Sequence, residues 1–139
     1  MRTPEAKVKA QVKLLLDALG CVYVMPIGSG YGKSNTLDFC VAVPVRDSHA
    51  LHLEIETKAD ASKKLTKLQE ARVAELLRVN ALYMRIDGDN YEEQKGELAS
   101  LMGYTLEEVE AKLHVLRVSK LAKKQSNASR RTYRQGQPD

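Results

Sequence analysis

Apolar residues at Val8, Val12, Leu15, Leu16 and Leu19 recur at helical spacing, while Lys7, Lys9 and Lys13 fall largely off that stripe. Thr3-Pro4-Glu5 supplies the start: a hydroxyl to cap free N–H groups, proline at the first helical position and an acid facing the dipole. Gly20 supplies the stop, so a first helix is predicted to about Leu19. Cys21 to Ile27 is then a β-branched and apolar run ending at GSGYGKSN, which reads as a strand followed by a glycine-rich loop. Leu37 to Val45 and Ala50 to Lys58 are two further runs, and Arg46-Asp47-Ser48 between them reads as the turn of a β-hairpin. In the third strand Leu51, Leu53 and Ile55 point one way and His52, Glu54, Glu56 and Lys58 the other, so one face is core and the other ionic.

Thr66-x-x-Gln69 has capping-box spacing and opens a helix with Leu68, Ala71, Leu76 and Val79 inward, ending near Asn80. Ala81 to Ile86 reads as a fourth strand and Asp87-Gly88-Asp89-Asn90 as a turn. A helical segment from about Glu92 to Met102 is broken at Gly103. Thr105-x-x-Glu108 is another capping box, and Leu106, Val109, Leu113 and Leu116 keep helical spacing into Leu121 before the tail loses periodicity. The order α-β-β-β-α-β with helical additions predicts an α/β domain, a mixed sheet flanked by helices.

The 139 residues, 43% hydrophobic and 29% charged, are enough for one ordinary core without metal or disulfide staples. Nothing approaches a membrane-spanning stretch, and MRTPEAKVKA lacks an apolar signal region, so the expected compartment is the cytoplasm, or that of a host cell. Cys21 and Cys40 lie in apolar runs, form no C-x-x-C pair and are expected to be buried thiols. The net charge of +4 is unevenly placed. Residues 1–116 carry 15 Lys and Arg against 17 Asp and Glu, a balance of −2, whereas residues 117–139 carry 7 against 1, a balance of +6. A domain over 1–116 is therefore expected to be followed by the end of the last helix and a basic tail. That tail is either an electrostatic phosphate contact or a solvated, flexible end.

GSGYGKS ends like a phosphate-binding loop, but a P-loop needs glycine where Ile27 stands, and this loop leads into a strand rather than a helix. Nucleotide hydrolysis is excluded on that ground, leaving Lys33 as a charge that could approach a polynucleotide. A stronger constellation is Asp38 at the start of the second strand with Glu56-Thr57-Lys58 at the end of the third. Paired strands lie about 4.8 Å apart, so two carboxylates on neighbours can share one hard divalent cation, with the Thr57 carbonyl as a further ligand. Lys58, two residues from Glu56, shares its face and could orient the attacking water while a cation polarises a phosphodiester. The alternative is that Glu54, Glu56 and Lys58 form the solvated face of an amphipathic strand. His52 shares that face as a lesser contact, Glu54 is the fallback acid for a register displaced by two, and His114 has no assigned role.

The succession GSGYGKSNTLDF, LEIETKA and KKLTKLQ, over roughly residues 3–87, resembles the VRR-NUC nucleases, a branch of the PD-(D/E)xK superfamily found in phages and repair enzymes. The resemblance implies a restriction-endonuclease-like core, Mg2+ dependence with Mn2+ as a substitute, and phosphodiester hydrolysis on DNA. Small stand-alone members are similar to Holliday-junction resolvases working as homodimers, which implies branched DNA as substrate. Residue by residue, Asp38 matches the motif's aspartate, Glu56 its second acid, Lys58 its lysine, Gln69 the glutamine of the following helix and Glu5 the glutamate of the first helix. Gln69 is then expected to support the water or the phosphate, and Glu5 to provide an outer or second-metal contact. Each has a simpler alternative, as helix cap and as dipole-facing acid. Leu37 stands where the superfamily has proline, and Asp60 near where a glycine is usual. Lys33, Lys63, Lys64 and Lys67 would contact DNA phosphates. The rival from another class is a non-catalytic DNA-binding module that keeps the fold.

Overall fold

A computed structural model of the chain describes residues 2–26, 37–45 and 49–136. The element order is α1 (Pro4–Ala18), β1 (Val22–Val24), β2 (Phe39–Pro44), β3 (Ala50–Thr57), α2 (Lys67–Arg78), β4 (Leu82–Ile86), α3 (Tyr91–Met102) and α4 (Leu106–Gln135). The four strands form one sheet in sequence order, with β1–β2 and β2–β3 antiparallel and β3–β4 parallel. This is the expected mixed α/β arrangement, and the crossover that parallel pairing requires is α2.

The local signals act as anticipated at the helix ends. Thr3 Oγ1 accepts from the Ala6 amide ahead of Pro4, and the capping boxes of Thr66 with Gln69 and Thr105 with Glu108 are both closed. Gly20 and Gly103 adopt left-handed backbone where α1 and α3 stop. One face of the sheet, with Phe39, Val41, Leu53 and Ile55, packs on Val12, Leu15 and Leu16 of α1, Leu98 of α3 and Val109 and Leu113 of α4.

Three expectations differ from the structure. In α2, Leu76 is buried but Leu68 and Val79 are 51% and 66% exposed, and Ala71 is exposed too. The helix turns Gln69, Arg72 and Leu76 toward β3 instead, because the carboxylates on that strand need partners more than the helix needs an unbroken apolar stripe. Cys21 is buried, but Cys40 is only half-buried, lining an open hollow with Val22, Val24, Ala42 and His52. The third difference is in α4, which does not fade at Leu121 but continues to Gln135, so the basic segment is helical. No helix among the described residues is long and apolar enough to cross a membrane. The glycine-rich loop with Lys33, and the hairpin turn at 46–48, lie outside the described residues.

Candidate active site

The β2–β3 register pairs Phe39 with Ile55, which sets Asp38, one residue before β2, beside Glu56 near the end of β3. Asp38 is held there by Thr57, whose amide and hydroxyl both donate to its Oδ2, at 2.9 and 2.6 Å. Thr57 itself is wholly buried, so the two donors are fixed. From the opposite side, the first turn of α1 brings Glu5 in. Glu5, Asp38 and Glu56 each place a carboxylate oxygen within 4.8 Å of the others.

His52, at the near end of the ionic face of β3, is exposed, but the acids beyond it are not solvated. Glu54 and Glu56 are 1% and 2% exposed, which speaks against a solvated face at these two acids. Glu56 is under electrostatic pressure: burial, then the neighbouring charge of Asp38, pushes its carboxyl up to about 8. Gln69 Nε2 donates to Glu56 Oε1 at 2.9 Å, and Lys58 Nζ lies 4.0 Å from the same oxygen. An all-oxygen group of three crowded carboxylates, in which burial and a neighbouring charge favour the protonated form of Glu56, suits a hard divalent cation.

Glu54 has a different fate. Burial works against its charge, but Arg72 grips both of its oxygens at 2.9 and 2.7 Å and His52 Nε2 lies 2.6 Å from Oε2, and together these hold it below the usual carboxylate range. Cys40, His52 and Glu54 do converge within 4.8 Å, but the carboxylate of Glu54 is engaged by Arg72, and the register places Glu56 rather than Glu54 beside Asp38.

Two cations escape the sequence reading: Lys9, beside the candidate site, and Arg72, the partner of Glu54. Lys9 Nζ lies 3.4 Å from Asp38 Oδ1. Both had a readable signal: Lys9 is four residues after Glu5 on α1, and Arg72 three after Gln69 on α2, so each shares a helix face with a residue already singled out. Lys63, Lys64 and Lys67 are exposed on the segment leading from β3 into α2. Asp60, the departure near the strand exit, is a turn residue whose carboxylate accepts from the Ser62 amide at 2.9 Å and whose carbonyl accepts from Arg85. Leu37, standing in the proline position, is buried.

Beyond the strand, the Lys58 amide donates to the Ile86 carbonyl at 3.0 Å, tying the lysine's backbone to β4. The turn after β4 is closed by Asp87, which accepts from the amides of Asp89 and Asn90.

No protein-family model and no curated protein matches the chain. A solved structure does: a "VRR_NUC domain" aligns with a TM-score of 0.56 and 23% identity, over 71% of this chain and 97% of that one. The chain has the fold of a VRR_NUC domain. Within this VRR_NUC fold the paired ends of β2 and β3, the start of α1 and the start of α2 meet at one point, the point where the three carboxylates lie.

Proposed function

We propose that the chain is a divalent-metal-dependent DNA endonuclease of the VRR-NUC kind, hydrolysing phosphodiester bonds. The observation that carries the reading is the convergence of Glu5, Asp38 and Glu56 beside Lys58, on a fold shared with a VRR_NUC domain. Asp38 and Glu56 would hold Mg2+, or Mn2+ in its place, with Glu5 and the Thr57 carbonyl as further oxygen donors. Such a cation neutralises charge growing on the phosphodiester. Around it each side chain has a task. Thr57 fixes the rotamer of Asp38, and Gln69 aims Glu56. The Lys58 ammonium, on the same side as Glu56, orients the attacking water and stabilises negative charge.

The expected substrate is branched DNA of the four-way-junction type. A symmetric homodimer would offer two such sites to strands of opposite polarity. Lys33, Lys63, Lys64 and Lys67 would steer phosphates to the site, making binding salt-dependent. No nucleotide cofactor is called for. Two free thiols agree with the cytoplasm as its compartment.

The deciding experiment is cleavage of a four-way junction, a flap and a plain duplex with Mg2+, for wild type, Lys58→Ala and Asp38→Asn. Both variants are expected to lose cleavage, and Asp38→Asn to lose Mn2+ binding in a calorimetric titration. Cleavage undiminished by either change rules out the site. Metal-independent DNA binding without hydrolysis would instead identify a non-catalytic binding module.

A further inference from the structure

Beyond Leu116, α4 leaves the core: every residue from 117 to 136 is exposed. Its charges are nevertheless sorted. At 3.6 residues per turn, Arg117, Lys120, Lys124, Arg131 and Arg134 lie along one side, with Lys123 and Arg130 at its margin, all within an arc of about 140°. The remaining surface carries no charge and includes Val118, Gln125, Ala128, Ser129 and Thr132. A tail that merely stayed soluble would have no reason to place all its cations on one side.

The base of this stripe does not end in solvent. Arg117 and Lys120 line an open groove between α4 and α1, whose other wall carries Arg2, Lys7 and Lys13. Lys120 lies 3.8 Å from Asp17, which already accepts from the Tyr23 hydroxyl. From Arg117 to Arg134 the stripe extends about 25 Å, roughly seven phosphate spacings along one strand of a duplex. Helix α1 serves both places: Glu5 and Lys9 reach the carboxylates, while Lys7 and Lys13 line the groove.

The uncharged face tells against other partners. A membrane-surface helix sets Trp, Phe or Leu opposite its cations, but past Leu121 the uncharged side has mostly glutamine, serine, alanine and threonine, with Tyr133 as its one aromatic. The same residues make a poor coiled-coil seam. The stripe bears no aromatic on which unpaired bases could stack, as a single-strand reader would. We propose that the basic side of α4, continued by the α1–α4 groove, is a second DNA-binding surface that grips the phosphate backbone of a double-stranded arm flanking the cleavage site. The position of that arm relative to a cut rests on the nuclease reading above; the binding does not.

The test is fluorescence anisotropy of a short labelled duplex with the full chain in EDTA, across a salt series. Lys124→Gln/Arg131→Gln/Arg134→Gln is expected to weaken binding about tenfold or more at low salt and to lower the log–log salt slope by about 2 to 3. Gln125→Ala/Ser129→Ala, on the uncharged side, should change neither. If circular dichroism shows the triple variant losing helix, Lys7→Gln/Lys13→Gln reads the groove from α1, which the core anchors. Unchanged affinity and slope in a helical triple variant overturns the proposal, as does its loss of binding to phosphatidylserine vesicles with duplex affinity intact. Cleavage is scored separately. Loss of activity in Asp38→Asn with the arm variants binding normally sinks only the arm, whereas the expected affinity loss in a chain that never cleaves sinks only the nuclease reading.

Discussion

Gln69 bridges α2 and Glu56: its Nε2 donates to Glu56 Oε1 at 2.9 Å while its own Oε1 accepts from the Thr66 amide at 2.9 Å. The cap and the site contact are therefore the same side chain used at both ends, and the start of α2 is locked to the carboxylate group. Gln69→Ala removes both bonds. It is expected to cost about 2 kcal/mol in urea unfolding, from a lost cap and an unpaired buried acceptor. Gln69→Glu keeps the cap but sets a carboxylate against Glu56, so it should bind Mn2+ differently from Gln69→Ala. Equal stability of wild type and Gln69→Ala would mean that the bridge carries nothing.

The raised Glu56 predicts an unusual pH dependence for the metal-free chain. Between its ordinary value of 4.5 and about 8, the folded state holds a proton that the unfolded state has released. Stability contributed by this group is complete below the lower value and is lost as pH rises through the upper one, with a slope on the order of 1 kcal/mol per pH unit. Thermal melts from acid to neutral pH should show a declining midpoint, and Glu56→Gln should flatten the decline. Mn2+ added at the alkaline end should restore stability in wild type, because a cation replaces the missing proton. A flat profile in the metal-free wild type would contradict the crowding of Glu56 by Asp38.

Arg72→Met strands the buried carboxylate of Glu54, leaving His52 as its hydrogen-bond partner among the described residues, and is expected to destabilise by about 3 kcal/mol. Removing both charges, as Glu54→Leu with Arg72→Met, should return most of that loss. Denaturant unfolding of the two singles and the double gives the coupling directly; additive losses would show that the pair does not act as a unit.

Gly88→Ala tests the anchorage of Lys58. A Cβ at position 88 would stand 2.7 Å from the Ala59 carbonyl oxygen, which already accepts from the Gly88 amide. The opposing atom is backbone and cannot swing aside, so the strand exit must move, at about 1–3 kcal/mol. Since Ala59 follows Lys58, cleavage should fall further than Mn2+ affinity, as the two acids sit upstream of the shift. Wild-type stability in this variant would show that the turn yields freely.

Element order, helix caps and strand alternation were determined by the sequence, because each rests on residues within a turn or two of one another: Thr66 with Gln69, Gly103 after α3, Leu53 with Ile55. The candidate acids were equally visible, through the register expected of a hairpin. Burial was not. Periodicity marks a polar face on β3 but cannot say whether water or α2 lies over it, and it gives α2 an apolar stripe where the folded helix turns Gln69 and Arg72 to the sheet. Nor could chain order show that Glu5 and Lys9 reach Asp38 from α1, or that the last helix runs on, exposed, beyond the core. Desolvation, and contact between residues remote along the chain, depend on how the layers stack. Only the packed chain sets the charge state of Glu56 and the partners of Glu54.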